Sequence, residues 1–290
     1  MVLEKKLKDL NLLDRFLFAE ATEDPEVLEC ILEIILGKDV VLKHLPQTEA
    51  EHRKSLWSKQ IRLDVWAMDA DDVIYDTEVQ KKNTRNLPKR TRFYHGVIDS
   101  KLLESGSVDY NQLKDVYVIM ITPFDPFGEG RYKYTFQMMC REVPGLPLED
   151  GATRIFLNTR GTDPDGVSQE LIQLLRYFER TTQEVADSSN SEKIQMMQKR
   201  IASIRSSEEF GVKLMNAWEE KILERQEARE EGLAEGLEKG RAQGIAEGRQ
   251  KLEAILKNLF HKGFSPEDAA AITEMDLQQV KDFFKKLSQS

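Results

Sequence analysis

Two hydrophobic patterns, one of period two and one close to 3.6 residues, divide the first part of the chain into predicted strands and helices. Residues 61–68 and 73–80 alternate apolar and polar side chains in the manner of half-buried strands, and the polar residues 69–72 separate them. This arrangement predicts a β-hairpin. Residues 116–121 form a continuous apolar run, which is typical of a strand buried on both faces of a sheet.

The remaining apolar patterns place helices and strands around this hairpin. Asp24 is a good N-cap and Pro25 suits a first turn, so the helically spaced apolar residues up to position 36 predict an amphipathic helix. The patterns further predict helices at 88–103 and 167–180 and strands at 39–45, 132–140 and 154–157. The resulting order through residue 121 is α-β-β-β-α-β.

The register of the predicted hairpin brings together acidic side chains that are distant in sequence. Setting Asp64 opposite Glu78 places the centre of the turn at Asp71, in the middle of the polar loop. Asp64, Glu78 and Gln80 then share one face, because alternate residues of a strand point the same way. Directly opposed side chains have Cβ atoms roughly 4.5–5.5 Å apart, and two carboxylates at that spacing can share a hard cation.

A solvated acidic face is the alternative interpretation of this hairpin. Further acids at positions 69, 71, 72 and 76 make the hairpin acidic throughout. The face that carries Asp64 also carries Trp66, Met68 and Ile74, however, and large apolar residues are unusual neighbours for a water-facing carboxylate. A carboxylate buried beside them needs a partner, because burying an unpaired charge is costly.

The net charge of −9 argues against a nucleic-acid partner, but the charge is distributed unevenly. Six basic residues and no acid fall within residues 81–92, directly after the predicted acidic pair. They are Lys81, Lys82, Arg85, Lys89, Arg90 and Arg92. Basic side chains neutralise phosphates, so this run predicts contact with a DNA backbone without readout of its sequence. A solvated loop and helix start without a partner is the alternative.

Composition narrows the class of protein and of site. The 290 residues, 40% hydrophobic and 32% charged, suffice for one sizeable core and a charged extension. Cys30 and Cys140 are isolated and the four histidines lack metal-ligand spacing, so we expect neither a zinc site nor a disulfide. Residues 1–6 begin no apolar leader and no membrane-length apolar run occurs, which predicts a cytoplasmic protein without a membrane partner. No glycine-rich phosphate loop follows a strand, so we expect no nucleotide cofactor.

From residue 191 onward the chain is charged, poor in aromatic residues and helical in pattern. Its unusual feature is a glycine at every fourth position: Gly232, Gly236, Gly240, Gly244 and Gly248. Each glycine costs roughly 1 kcal/mol of helix stability relative to alanine, so the five together cost on the order of 5 kcal/mol. A partner helix packed on the glycine stripe would offset this cost, which favours a homo-oligomer. A low-complexity helical spacer is the alternative.

The last segment, 261–290, predicts a small helical hairpin. Ser265 is a good N-cap, Pro266 suits the first helical position and Asp268 completes a capping-box-like pattern. Asp276 separates this helix from a second one with helically spaced apolar residues. Helix pairs of this size occur in DNA-binding modules, but small helical hairpins without that role are far commoner.

The set formed by Asp64, thirteen intervening residues, Glu78 and Gln80 resembles the active-site motif of the PD-(D/E)XK nuclease superfamily. It is closest in pattern to a bacterial branch of recombination-promoting nucleases and transposases. Further segments resemble that branch in order and spacing over about residues 8–180, and the glycine-repeat tail is similar too. These segments are 13–16, 92–95, Ser105-Gly106, Tyr110, Leu113 and 116–125.

The resemblance implies a restriction-endonuclease-like α/β fold: an α-β-β-β-α-β core with a mixed central sheet, followed by an all-α C-terminal extension. It divides the chain into three parts. They are a nuclease-like domain at 1–182, a charged helical region with the glycine repeat at 183–260, and the small helical hairpin at 261–290.

The resemblance also implies a metal-dependent DNA endonuclease that promotes recombination or acts as a transposase-type nuclease. Asp64, Glu78 and the backbone carbonyl of Val79 would hold Mg²⁺, or alternatively Mn²⁺, and Gln80 would orient the attacking water. Asp14 is a candidate supporting acid from the N-terminal segment.

One residue departs from the superfamily pattern, which usually has a lysine where this chain has Gln80. An amide can orient water, but it carries no charge and cannot act as a base. The branch that this chain resembles tolerates glutamine there. Lys81 points to the other face of an ideal strand and could substitute only through a bulge. The alternative function is a catalytically inactive nuclease-fold protein that acts as an oligomeric module binding nucleic acid or protein.

Overall fold

The computed structural model describes residues 10–52, 61–103 and 109–288, without the side chains of residues 49–52 and 61–63. Segments 1–6 and Ser105-Gly106, used in the predictions above, lie outside the described residues. The helices are α1 (Arg15–Thr22), α2 (Pro25–Leu36), α3 (Leu87–Leu102), α4 (Gln169–Glu179), α5 (Gln183–Ser188), α6 (Glu192–Ser206), α7 (Glu208–His261), α8 (Pro266–Thr273) and α9 (Leu277–Leu287). The strands are β1 (Gln47–His52), β2 (Ile61–Met68), β3 (Ile74–Val79), β4 (Val116–Thr122), β5 (Lys133–Phe136) and β6 (Ala152–Asn158).

Local signals define the ends of α2 as the sequence predicts. The Asp24 side chain accepts a hydrogen bond from the backbone N–H of Glu26, and Pro25 occupies the first turn. Gly37 ends the helix with φ +70°, a left-handed conformation that glycine adopts without the steric cost of a Cβ. The predicted amphipathic helix is therefore confirmed together with its N-cap.

Within the described residues, six strands form one mixed sheet in the order β1-β2-β3-β4-β6-β5. Strand β4 pairs in parallel with both β3 and β6, and the outer pairs are antiparallel. Strands β2 and β3 form the predicted hairpin, with Val65 opposite Thr77 and Met68 opposite Ile74. Continued by one residue, this register sets Asp64 opposite Glu78, as predicted. The mixed sheet and the α-β-β-β-α-β order confirm the fold class.

Helices cover both faces of the sheet, and the two layers differ in size. On one face the apolar side chains of the central strands join α1, α2, α4 and α6 in the main core. On the other face Ile74, Val116 and Val118 pack beneath Tyr94 and Ile98 of α3. The even-numbered residues of β2 and β3 point to this second face, because strand side chains alternate. Helix α3 therefore covers the part of the sheet that carries the predicted acidic pair.

The first strand lies at Gln47–His52, so the strand prediction for 39–45 is wrong. In that predicted segment Leu42 makes only an isolated bridge, to Asp69 in the hairpin turn. Pro46 explains the shift, because it has no N–H to donate to a ladder and restricts the residue before it. The chain joins the sheet edge only after this proline.

The edge strand β5 is shorter than the predicted 132–140 and covers Lys133–Phe136. Its partner β6 begins at Ala152, and Phe136 is already opposite Arg154, so little of β6 is left to pair with. Beyond β5, Met138 and Met139 are about half exposed. The strand prediction was too long because an apolar run near a sheet edge does not need a partner along its whole length.

The first compact unit ends at Leu214 and the second begins at Met215, so the first extends beyond the predicted boundary at residue 182. Helices α5 and α6 account for the difference. Ala186, Ile194, Met197 and Ile201 are fully buried in the main core. The apolar stripe of these helices is narrow and lies among charged residues. The composition of this region therefore resembles that of a solvated helix, although one face of it is buried.

The glycine-repeat region forms part of one continuous helix, α7, and residues 221–250 are exposed throughout. None of the described helices, including this 54-residue one, combines enough length and apolar character to cross a membrane.

The C-terminal helical hairpin forms as predicted and includes one more element. Leu256 near the end of α7 packs with Ala269 of α8 and with Val280 and Phe284 of α9. The Ser265 Oγ accepts a hydrogen bond from the N–H of Asp268 at 3.1 Å, which caps α8. The hairpin therefore owes its small core partly to the last turns of α7.

We predict that Ile201→Ala lowers the free energy of unfolding by about 2–5 kcal/mol, because it leaves a cavity in the main core. Urea unfolding of the full chain, followed by circular dichroism, measures this loss. The matched control is Lys199→Ala on the exposed side of the same helix, with an expected change within roughly 0.5 kcal/mol. Equal stability of the two variants would contradict the placement of α6 in the core.

Candidate active site

Asp64 and Glu78 lie at the open end of the β2–β3 hairpin, one residue beyond the paired Val65 and Thr77. Both are buried, with 4% of Asp64 and 1% of Glu78 exposed to solvent. Glu78 is close enough to Asp64 for its charge to raise the pKa of the Asp64 carboxyl group. The interpretation of this hairpin face as solvated is therefore wrong for the acidic pair.

Each of the two buried carboxylates forms an ion pair with an arginine from a neighbouring helix. Arg15, the first residue of α1, contacts Asp64 through its Nε. Arg90 of α3 contacts Glu78 through Nη2 and donates a 2.9 Å hydrogen bond from Nη1 to Gln80 Oε1. These contacts attach α1 and α3 to the strand ends that carry the acids.

Tyr94 lies one turn after Arg90 on α3 and completes the cover of the acids. The Arg90 guanidinium carbon lies 5.4 Å from the centroid of the Tyr94 ring, within the range of a cation–π contact. The Tyr94 hydroxyl group also lowers the pKa of the Glu78 carboxyl group, against the effect of burial. The ring thus holds the guanidinium in place while its hydroxyl group stabilises the ionised carboxylate.

A third acid, Asp76, is fully buried on the same face of the hairpin. In the described part of the chain, neither of its carboxylate oxygens has a hydrogen-bond partner. Its opposite residue on β2 is Trp66, a partly buried side chain in the small core beneath α3. Asp76 therefore does not belong to a solvated acidic face, although acid content alone suggests that it does.

Burial dominates the electrostatics of the three acids. It raises the pKa of Asp64 from 3.8 to about 7, and the Glu78 charge adds to this shift while Arg15 opposes it. Burial also raises the pKa of Glu78, against the opposing effect of Arg90. Burial and the two neighbouring carboxylates raise the pKa of Asp76 well above its usual range. Three carboxyl groups have only two guanidinium groups beside them, so the cluster carries a net negative charge when all three acids are ionised.

Gln80 and Asp14 make contacts beside the acidic pair. The Gln80 Nε2 donates a 2.7 Å hydrogen bond to the carbonyl of Lys82, and its Oε1 accepts the bond from Arg90. Asp14 caps α1 by accepting a hydrogen bond from the Phe16 N–H at 3.1 Å. Its Oδ2 lies 3.5 Å from the Nζ of Lys81, so Lys81 contacts Asp14 instead of taking a position beside Glu78.

The basic run after β3 divides into one enclosed residue and a group of exposed ones. Arg90 is half-buried and contacts Glu78 and Gln80, which differs from the surface role predicted for it. The exposed members are Lys81, Lys82, Arg85, Lys89 and Arg92. These five exposed side chains lie on the segment that follows β3, the strand that ends beside the acidic pair.

Sequence reasoning assigned no site role to Arg15, Arg90 or Tyr94 as partners of the acids. A signal for α3 exists in the chain: Arg90, Tyr94 and Ile98 recur every fourth residue and therefore share one helical face. Ile98 is apolar and buried, which identifies this face as the one against the sheet. Arg15 has no comparable signal, since it is the first residue of a short helix.

The oxygens of the acidic pair are suitable ligands for a hard divalent cation such as Mg²⁺. Glu78 Oε1 is buried and, among the described residues, has no hydrogen-bond partner, so its lone pairs are available. No group of three or more His, Cys, Asp and Glu side chains is arranged to hold a metal within the described ranges. The donors that fit a cation are therefore the two carboxylates, with main-chain oxygen or water for the remaining positions.

A scan against protein-family models matched residues 14–228 to a family described as PD-(D/E)XK nuclease family transposase. The matched range includes both strands of the acidic hairpin, α3, and the helices that complete the first compact unit. A search among curated proteins and a search among solved structures each gave no match. Because the family model covers well over half of the chain, the protein belongs to the PD-(D/E)XK nuclease family of transposases.

Proposed function

We propose that this protein is a metal-dependent DNA endonuclease of the recombination-promoting or transposase type, which hydrolyses phosphodiester bonds. The observation that carries the proposal is the buried pair Asp64 and Glu78, whose charge two arginines compensate only in part. Membership of a nuclease family supports phosphodiester hydrolysis as the chemistry of this pair. The exposed basic side chains beside it give a polyanionic substrate a place to bind.

Mg²⁺, with Mn²⁺ as a substitute, is the proposed cofactor, held by Asp64, Glu78 and the backbone carbonyl of Val79. When bound, such an ion lowers the pKa of a coordinated water and stabilises negative charge on the phosphate. Both carboxyl groups must lose their protons to act as ligands. The raised pKa of Asp64, about 7, means that this proton loss occurs close to neutral pH in the metal-free protein.

The protein's own contribution to hydrolysis is the orientation of water and phosphate. Gln80 is held through one amide hydrogen by the Lys82 carbonyl and through one lone pair by Arg90. An amide has two hydrogens and two lone pairs, so one of each remains to orient a water molecule. Arg90 sets the positions of Glu78 and Gln80 together and thus acts as a positioning residue. Asp14 is the proposed supporting acid: it contacts Lys81 and is not itself a proposed metal ligand.

The exposed basic side chains are the proposed contacts with the DNA backbone. Lys81, Lys82, Arg85, Lys89 and Arg92 are exposed and can contact phosphates without reading bases. Arg90 is left out of this set because its guanidinium group already pairs with Glu78.

A catalytically inactive module that binds nucleic acid or protein is the second candidate function. The specific observation in its favour is Gln80, which takes the place of a lysine and has Arg90 on its Oε1. An amide cannot act as a base, so water activation would depend wholly on the metal. Binding of DNA without cleavage under all metal conditions would support this candidate.

We predict that Asp64→Ala and Glu78→Ala abolish the cleavage of supercoiled plasmid in Mg²⁺ or Mn²⁺, because each removes a proposed ligand. The rate should fall by at least a hundredfold, as for other losses of central charge stabilisation. The matched control is Asp71→Ala in the exposed turn of the same hairpin, which should cleave at the wild-type rate. Wild-type cleavage by Asp64→Ala would rule out the proposed site.

We predict a pH-dependent stability difference between the metal-free wild type and Asp64→Asn. Between pH 4 and 7 the folded wild type keeps a proton on Asp64 that the unfolded chain has lost, because the folded pKa is about 7 and the ordinary value is 3.8. This group therefore stabilises the protein at low pH, and its contribution falls as pH rises, by about 1.4 kcal/mol per pH unit. The asparagine variant lacks this titration.

Urea unfolding in EDTA at several pH values measures this difference, which should grow in favour of Asp64→Asn up to pH 7 and then level off. Added Mg²⁺ or Mn²⁺ should raise the thermal midpoint of the wild type at pH 8 and leave that of Asp64→Asn unchanged. The control is Asp71→Asn, which removes an exposed carboxylate from the turn of the same hairpin and keeps Asp64. A pH-independent difference would contradict the raised pKa.

We predict that Lys89→Ala and Arg92→Ala each weaken DNA binding by the Asp64→Ala background protein, uniformly over DNA sequences. Each should lower the slope of log affinity against log salt by about 1, since one phosphate contact is lost. Lys199→Ala, an exposed change outside the basic run, is the control. An unchanged salt slope for both variants would show that the basic run does not meet the backbone.

A further inference from the structure

Helix α7 has a long surface that no other part of the described chain covers. Every residue from 221 to 250 is exposed, over about eight turns of helix. Most helices in proteins depend on packing for their stability, and this one also contains five glycines. A partner packed along this surface would stabilise a helix of this composition.

The glycines are not required by the fold of a single chain. An added Cβ at Gly232, Gly236, Gly240, Gly244 or Gly248 would meet nothing within 4 Å. Each of these positions has an ordinary helical conformation, so alanine would fit and would favour the helix. The absence of side chains matters only if a second backbone approaches this stripe.

Apolar side chains accompany the glycines. Leu233, Leu237 and Ile245 each follow a repeat glycine by one residue and are 65%, 77% and 61% exposed. They lie along one border of the stripe, because one residue corresponds to about 100° around the helix. The surface thus combines a shallow backbone groove with large side chains beside it, which are the parts of a close helix–helix contact.

Charge along α7 is complementary to that of a second, antiparallel copy. Residues 219–238 carry eight acidic and three basic side chains, and residues 239–258 carry five basic and two acidic ones. The sign changes within two residues of Gly240, the central glycine of the repeat. A second copy of α7 in the antiparallel direction would place each acidic half on a basic half, whereas a parallel copy would place like on like.

We propose that α7 pairs with α7 of a second copy of this chain, antiparallel and centred near Gly240. Such a contact is self-complementary under a two-fold axis, so it closes as a dimer. The four-residue glycine spacing exceeds the 3.6 residues of a turn, so the stripe winds in the sense of a right-handed crossing. The pairing is independent of the proposed cleavage reaction.

Sedimentation equilibrium of the full chain over a range of concentrations tests the pairing. The expected molar mass is twice the 33.5 kDa of one chain. The triple variant Gly236→Ala, Gly240→Ala, Gly244→Ala should weaken dimerisation at least tenfold while its helical circular dichroism stays equal or increases. The matched control is Gly96→Ala in α3, where an added Cβ also meets nothing within 4 Å, and its mass should equal that of the wild type.

Charge reversal tests the direction of the pair. Reversal of the acidic half (Glu231→Lys, Glu235→Lys, Glu238→Lys) or of the basic half (Arg241→Glu, Arg249→Glu, Lys251→Glu) should give a monomer. Both reversals in one chain should restore the dimer, because acidic and basic halves again face each other. A monomeric wild type, a glycine variant that dimerises normally, or a doubly reversed chain that stays monomeric would overturn the proposal.

Discussion

The Arg90–Glu78 ion pair joins α3 to β3, and the burial of the acidic cluster depends on this contact. It holds α3 against the face of the sheet where carboxylates alternate with apolar residues. Without a cation from α3, burial of Glu78 beside Asp64 and Asp76 would combine desolvation with repulsion between like charges. The guanidinium group also contacts Gln80, so the residue that compensates the charge of Glu78 also positions the amide that we propose orients water.

The two faces of the sheet differ in what they bury. The larger face, under α1, α2, α4 and α6, is apolar and supplies most of the core. The smaller face, under α3, carries the buried acids and their raised pKa values. A sheet that is well supported on one side can keep unfavourable charge on the other, and perturbed pKa values of this kind cluster at functional sites.

The sequence predicted correctly those features that depend on residues close together in the chain. The period-two pattern and the turn centre gave the hairpin register, and Asp24, Pro25 and Ser265 marked helix starts correctly. Contacts between distant segments were beyond such rules. The burial of Asp76, the pairing of Arg15 with Asp64 and the inclusion of α6 in the core all depend on which helix covers which face. The catalytic roles remain predictions, since they concern a bound metal and substrate.

The parallel pairing of β3 with β4 has a consequence for the order of folding. The β2–β3 hairpin closes locally, but β4 lies beyond α3, so its pairing must bring together residues more than thirty positions apart. The arginines that contact the acids lie in α1 and α3, outside the hairpin, so a chain in which only the hairpin has formed would leave the acids hydrated and unpaired. The assembled acidic pair is therefore a property of the folded domain and not of the hairpin alone.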